Sequence, residues 1–128
     1  MTSRFTELAI DCADPKGLAR FWCSVLDYEV KEEDDGIVTF GSPVVPDGTT
    51  RPGPVPPMLT FARVPEGKTV KNRLHLDLNP TDREQDEEVR RLLELGARHA
   101  DVGQGDERWV VLADPEGNEF CVLAGRRP

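Results

Sequence analysis

The chain has 128 residues, and its 16 Lys and Arg against 24 Asp and Glu give a formal net charge of −8. This length suits one domain that folds without metals or disulfides, and the acidic balance argues against general binding to nucleic acid or to an anionic membrane surface. There is no run of about 18 apolar residues and no apolar secretory core behind the N-terminus, so we expect a cytoplasmic protein.

The first half of the chain predicts a strand, a helix and three further strands. Alternating polarity over residues 5–12 predicts a strand with Glu7 and Leu8 on opposite faces. Asp14 and Pro15 then fit an N-cap and a first helical residue, and an apolar stripe extends the helix to about Asp27. The three further strands expected here are Glu29–Lys31, Ile37–Phe40 and Met58–Val64.

A proline-rich stretch precedes the last of these strands. Ser42–Pro57 holds six of the eleven prolines of the chain. Because proline has no N–H to donate to a sheet, we expect a long loop there, partly in a polyproline conformation. Loops of this length inside a domain are usually functional or mobile.

The second half predicts the same series of elements. Arg73–Leu78 alternates like a strand, and Thr81 or Asp82 is expected to cap a helix, with Thr81 and Glu84 fitting a capping box. Gly96 is expected to end that helix. Three strands should follow, with a type I turn at 114–117 between the last two: Arg98–Val102, Trp109–Ala113 and Asn118–Leu123.

The two halves therefore indicate an internal duplication. Glu7 and Asp14 have the same spacing as His75 and Asp82, and the two pairs lie 68 positions apart. Each half is predicted to form its elements in the order β-α-β-β-β. We predict a single domain over residues 1–128, made of one module at 1–64, a connector at 65–71 and a second module at 72–128.

Stretches in both halves resemble the vicinal oxygen chelate superfamily, and within it the glyoxalase-like group that includes bleomycin-resistance proteins and dioxygenases. They are Asp11–Pro15, Leu18–Trp22, Lys71–Leu78, Leu95–Ala97 and Asp114–Phe120. The resemblance implies an α+β fold in which two tandem βαβββ modules form an eight-stranded curled sheet, a half-barrel cup with helices on its outer face. It also implies a small-molecule ligand in the cup and a homodimer, with or without exchange of modules.

Three positions match those of metal ligands in the superfamily. The resemblance implies a divalent ion, Zn, Ni, Mn or Fe, held by Glu7, His75 and Cys121. Cys121 stands seven residues after Asp114, where the family usually has a glutamate, and no fourth ligand is found on strand 58–64. Without a metal, Glu7 is still a candidate general base, His75 an ordinary hydrogen-bonded residue and Cys121 a packing residue.

Four further residues are candidates for contact with a ligand. Asp77 shares the face of His75 and is expected to orient its ring or to lie in the floor of the cup. Arg73 shares that face too, Trp109 opens a strand, and Glu119 shares the face of Cys121, where it is also a substitute metal ligand.

These residues leave two functions open. The first is a metal-dependent lyase, isomerase or dioxygenase of the glyoxalase type, whose ion would bind two neighbouring oxygens of a substrate. The second is a metal-independent protein that sequesters a small antibiotic or toxin, which the incomplete ligand set favours and the aromatic content of 6% disfavours. The sequence does not decide between them, and it permits an accessory module without indicating one.

Overall fold

The computed structural model describes residues 2–45, 56–105 and 107–128, so most of the proline-rich stretch at Ser42–Pro57 lies outside the described residues. The described chain forms eight strands and two helices in the order expected from the duplication. They are β1 (Glu7–Cys12), α1 (Pro15–Leu26), β2 (Glu29–Asp34), β3 (Ile37–Gly41), β4 (Met58–Arg63), β5 (Asp77–Leu78), α2 (Gln85–Leu95), β6 (Arg98–His99), β7 (Val110–Ala113) and β8 (Glu119–Val122).

The strands hydrogen-bond as two four-stranded sheets, ordered β1-β4-β3-β2 and β5-β8-β7-β6. In each sheet the first strand of the module runs parallel to the last strand, and the other pairs are antiparallel. The predicted α+β fold of two βαβββ modules is confirmed, with the eight strands divided between two sheets that are not closed into a barrel. The chain separates into two compact units, Met1–Gly67 and Lys68–Pro128, and the division falls inside the predicted connector.

The core of the first unit forms where α1 packs against its sheet. The carboxylate of Asp14 accepts a hydrogen bond from the backbone N–H of Gly17 at 3.1 Å, which confirms the predicted N-cap. The apolar stripe of the helix is buried as predicted: Leu18, Ala19, Phe21, Trp22 and Val25. It packs mainly on β3 and β4, where Phe40 and Phe61 are fully buried.

The first strand of the second module is shorter than predicted. Only Asp77–Leu78 pairs with β8, whereas the alternation predicted a strand over Arg73–Leu78. The parallel register sets Asp77 opposite Cys121. Continued toward the N-terminus, it would place Leu74 opposite Asn118 and Arg73 opposite Gly117, and both of these partners precede β8. The chain ahead of His75 therefore has no strand to pair with.

The second helix begins later than predicted. Its N-cap is Glu84, which makes no capping hydrogen bond through its side chain, so the prediction of Thr81 or Asp82 as the cap was wrong. The carboxylate of Asp82 instead accepts a hydrogen bond from Arg83 Nε at 2.9 Å. Gly96 ends the helix as predicted, with a φ of 121° that favours glycine. Neither described helix has the length and apolar character needed to cross a membrane.

Candidate functional site

A cavity of about 250 Å³ opens on one face of the second sheet. Alternation along β8 turns Glu119 and Cys121 to this face, and Asp77 of β5 reaches it beside His75. The residues that line the cavity are Lys71, Asn72, His75, Asp77, Val102, Trp109, Val111, Glu119, Cys121 and Leu123. Cavities for small-molecule ligands usually measure about 300–1,000 Å³, so this one suits a small ligand.

Three potential metal ligands meet at one side of the cavity. His75 Nδ1 lies 3.0 Å from Asp77 Oδ1 and 3.8 Å from Cys121 Sγ. One ligand atom from each of the three residues lies within 4.8 Å of the other two. The ligand atoms of a tetrahedral zinc site are about 3.3–3.8 Å apart, because each is about 2.0–2.3 Å from the ion. The three side chains therefore fit a divalent ion with small adjustments.

The arrangement around His75 differs from that of a nucleophilic cysteine. In such a catalytic triad the thiol and the carboxylate contact opposite nitrogens of the ring, so that one nitrogen takes the proton of the thiol while the carboxylate orients the ring through the other. Here the thiol of Cys121 and the carboxylate of Asp77 both approach Nδ1. Burial and the neighbouring carboxylate of Asp77 also raise the pKa of the Cys121 thiol, which disfavours a free thiolate nucleophile. Because both side chains converge on one ring nitrogen, the arrangement suits a shared metal ion better than activation of the thiol by the ring.

Glu119 holds the segment ahead of His75 against the sheet. Its Oε1 accepts a hydrogen bond from Lys68 Nζ at 2.8 Å, and its Oε2 accepts one from the backbone N–H of Asn72 at 2.9 Å. Burial alone would raise the pKa of Glu119, but these hydrogen bonds outweigh it and the pKa is lowered. The side chain therefore fixes the segment ahead of β5, where Arg73 and Leu74 have no strand opposite them.

Replacing Glu119 by glutamine should lower the free energy of unfolding by about 1 kcal/mol at pH 7, because the charge-assisted bond from Lys68 is lost. A carboxyl group with a lowered pKa stabilises the folded state above its unfolded pKa and loses that effect as the pH falls through its folded value. The gap between the two proteins should therefore close below the usual Glu pKa of 4.5. Urea unfolding across this range measures it. Glu94→Gln on the exposed surface of α2 is the control, and an equal loss there would contradict the role given to Glu119.

The remaining predicted residues occupy different environments. Glu7 is exposed at the first residue of β1 in the first unit, and its part as ligand or base stays a prediction. Arg73 is exposed and does not line the cavity, so its contact with a ligand stays a prediction as well. Trp109 does line the cavity and keeps 39% of its surface exposed.

Sequence reasoning did not single out several residues of the lining. Leu123 follows Cys121 by two positions, so strand alternation was a sufficient signal for it. Lys71 and Asn72 lie ahead of β5, where no periodic pattern marks them. Asp77 was expected to orient the ring of His75 or to lie in the floor of the cup. It lies 3.0 Å from the ring, its role at the site stays a prediction, and its closeness to Cys121 depends on strand register.

The first unit carries other residues at the equivalent positions. Ala9 lies opposite Thr60 in the parallel pairing of β1 with β4, as Asp77 lies opposite Cys121 in the second unit. The Thr60 hydroxyl is buried and hydrogen-bonded to that of Thr39 at 2.9 Å. Among these equivalents only Glu7, 68 positions before His75, is a metal-ligating type. The three-residue cluster therefore lies in the second module, and its counterpart positions in the first module do not form one.

Comparison with known proteins agrees with this fold. A glyoxalase/bleomycin resistance/dioxygenase family enzyme from Burkholderia phytofirmans is similar in structure, with a TM-score of 0.68 and 15% identity over 94% of this chain and 97% of that chain. The fosfomycin resistance protein FosX from Mesorhizobium loti has a TM-score of 0.68 and 14% identity over 98% of this chain and 94% of that chain. FosX from Listeria monocytogenes, complexed with Mn(II) and sulfate ion, has a TM-score of 0.68 and 16% identity over 98% of this chain and 92% of that chain. At these identities the likeness shows the fold alone.

No curated protein matches the sequence. A family model described as a glyoxalase-like domain matches residues 7–123, which span both modules and the whole cavity lining. The chain therefore belongs to the glyoxalase-like domain family.

Proposed function

We propose that the second unit binds one divalent cation through His75, Asp77 and Cys121, and that a small organic molecule occupies the cavity beside it. The observation that carries the proposal is the convergence of Asp77 and Cys121 on one ring nitrogen, with all three ligand atoms within 4.8 Å. Of the expected ions Zn, Ni, Mn and Fe, we favour zinc, because thiolate, imidazole and carboxylate together are typical zinc ligands, whereas Mn²⁺ prefers oxygen.

A cation held this way would leave a coordination position open to an oxygen of the ligand, which it would polarise as a Lewis acid. The chain itself supplies the rest of the site. Before the ion binds, the hydrogen bond between His75 Nδ1 and Asp77 Oδ1 holds these two ligands close together, and Trp109, Val111 and Leu123 give the cavity an apolar wall that displaces water from a bound ligand. We assign lyase, isomerase or dioxygenase chemistry of the glyoxalase type to this site as part of the proposal.

One observation supports the second candidate function, which is sequestration of a small molecule without a metal. Trp109 presents a partly exposed indole to the cavity, and several neighbours in the lining are apolar. Such a wall binds a ligand without an ion. Ligand binding that raises the melting temperature equally with and without a chelator would favour this function over the first.

Cobalt(II) substitution tests the metal proposal directly. A cobalt ion bound to Cys121 should show thiolate-to-cobalt charge-transfer absorption at one equivalent per chain. Cys121→Ala should abolish this absorption. Cys23→Ala is the matched control, because Cys23 is a half-exposed thiol on α1 in the first unit, and it should leave the spectrum unchanged. Absence of the absorption in the parent protein, or its persistence in Cys121→Ala, would refute the ligand set.

The resemblance also leads us to propose a homodimer located in the cytoplasm. Light scattering at micromolar concentration should give about twice the chain mass. A particle of 14.3 kDa, the mass of one chain, would refute the dimer.

A further inference from the structure

Lys71 brings to the cavity lining a positive charge that forms no ion pair with any acidic side chain in the described part of the chain. Its Nζ donates a hydrogen bond to the backbone carbonyl of Asn72 at 3.0 Å, and within the described residues it makes no ion pair. Lys68, three residues earlier, differs in that its ammonium group is paired with Glu119 at 2.8 Å. The charge of Lys71 is therefore available to a ligand, and that of Lys68 is not.

When a divalent ion is bound, the charges around the cavity should sum to one positive charge, that of Lys71. Glu119 is neutralised by Lys68. A bound divalent ion would neutralise the carboxylate of Asp77 and the thiolate of Cys121, which together carry two negative charges. The lining would then keep one positive charge, that of Lys71, next to an otherwise neutral site. An anionic group on the ligand would match this charge.

Another part of the cavity wall is apolar. Trp109 offers a large flat side chain, and Val102, Val111 and Leu123 complete that part of the lining. A flat apolar group gains contact area against an indole at little entropic cost. A ligand that satisfies both parts of the lining carries an apolar, preferably planar, body and one anionic end.

We infer that the ligand is a small organic anion, with an oxyanion such as a carboxylate paired to Lys71 and an apolar body against Trp109. This inference rests on the proposed function for the location of the ligand, and it adds the class of molecule. Lys71 acts as a specificity residue that distinguishes an anion from a neutral or cationic molecule of the same shape.

Three compounds of similar shape test the inference: phenylacetate, phenylacetamide and 2-phenylethylamine. Their dissociation constants are measured by calorimetry with the zinc-loaded protein. Phenylacetate should bind roughly two- to five-fold more tightly than phenylacetamide, as expected for a partly exposed ion pair, and 2-phenylethylamine should bind most weakly. Lys71→Gln should remove most of the preference for the anion and leave phenylacetamide binding unchanged.

Two variants serve as controls. Arg90→Gln removes the same charge from an exposed position on α2 that does not line the cavity, and it should keep the anion preference. Trp109→Leu should weaken phenylacetate and phenylacetamide by a similar factor. An anion preference that survives in Lys71→Gln, or failure of phenylacetate to bind the parent protein, would overturn the inference.

The same titrations after treatment with a chelator separate this inference from the metal proposal. If the parent protein fails to take up zinc and still prefers the anion in a way that depends on Lys71, the Lys71 subsite is supported and the metal site is refuted. If the parent protein binds one zinc ion per chain and its anion preference is lost with the zinc but does not depend on Lys71, the metal site is supported and the Lys71 subsite is refuted, because the ion itself would then hold the anion.

Discussion

Replacing His75 by alanine should weaken zinc binding by at least about 100-fold. His75 Nδ1 lies close to both of the other proposed ligands, at 3.0 Å from Asp77 Oδ1 and 3.8 Å from Cys121 Sγ. Removal of residues that only support metal ligands already costs about 10- to 100-fold in affinity, so loss of a ligand should cost more. With two ligands left, the site should retain little zinc at micromolar protein.

The chain offers a matched control because it contains two histidines. His99 is exposed on β6 and does not line the cavity, so His99→Ala should keep the parent affinity. Competition with a chromophoric zinc chelator measures both variants. Zinc should also raise the melting temperature of the parent protein and of His99→Ala, but not that of His75→Ala. Equal zinc affinity in the two variants would contradict the proposed site.

Local signals in the sequence were sufficient to predict most of the fold. The cap at Asp14 and the buried stripe of α1 depend on residues within one or two helical turns of each other, so their pattern can be read directly. The duplication is visible for a similar reason, since the second module repeats the short-range pattern of the first module 68 positions later. The structure confirms the βαβββ order in both halves.

Long-range pairing explains what the sequence did not predict. Alternation assigns Asp77 to a face of β5, but only the parallel register with β8 sets it opposite Cys121. The shortening of β5 has the same origin, because Glu119 binds the backbone of Asn72 through its side chain, in place of a strand. The late start of α2 is instead accompanied by a local contact, since Arg83 binds the carboxylate of the adjacent Asp82 that was expected to cap the helix.

The second large effect is expected at the turn between β7 and β8, which sets the position of Cys121. The Asp114 side chain is only 1% exposed, and its Oδ1 accepts hydrogen bonds at 2.9 Å from the backbone N–H groups of Glu116 and Asn118. The side-chain amide of Asn118 also donates to this carboxylate, at 3.0 Å to Oδ2. Asp114 therefore fixes the turn from which β8 starts back along β7.

Asp114→Ala should lower the free energy of unfolding by about 3 kcal/mol, because two backbone N–H groups of a partly buried turn lose a charged acceptor. Asp114→Asn keeps an oxygen in place and should cost about 1 kcal/mol. Asp101 is the matched control, since its carboxylate accepts from Gly103 N at 2.8 Å in an exposed turn, and Asp101→Ala should cost less than about 0.5 kcal/mol. Urea unfolding measures all three variants. Equal losses in Asp114→Ala and Asp101→Ala would show that burial of the turn contributes nothing to its stability.

Cys121 is the third residue of β8, which begins just after this turn. Asp114→Ala should therefore also weaken zinc binding while the protein remains folded.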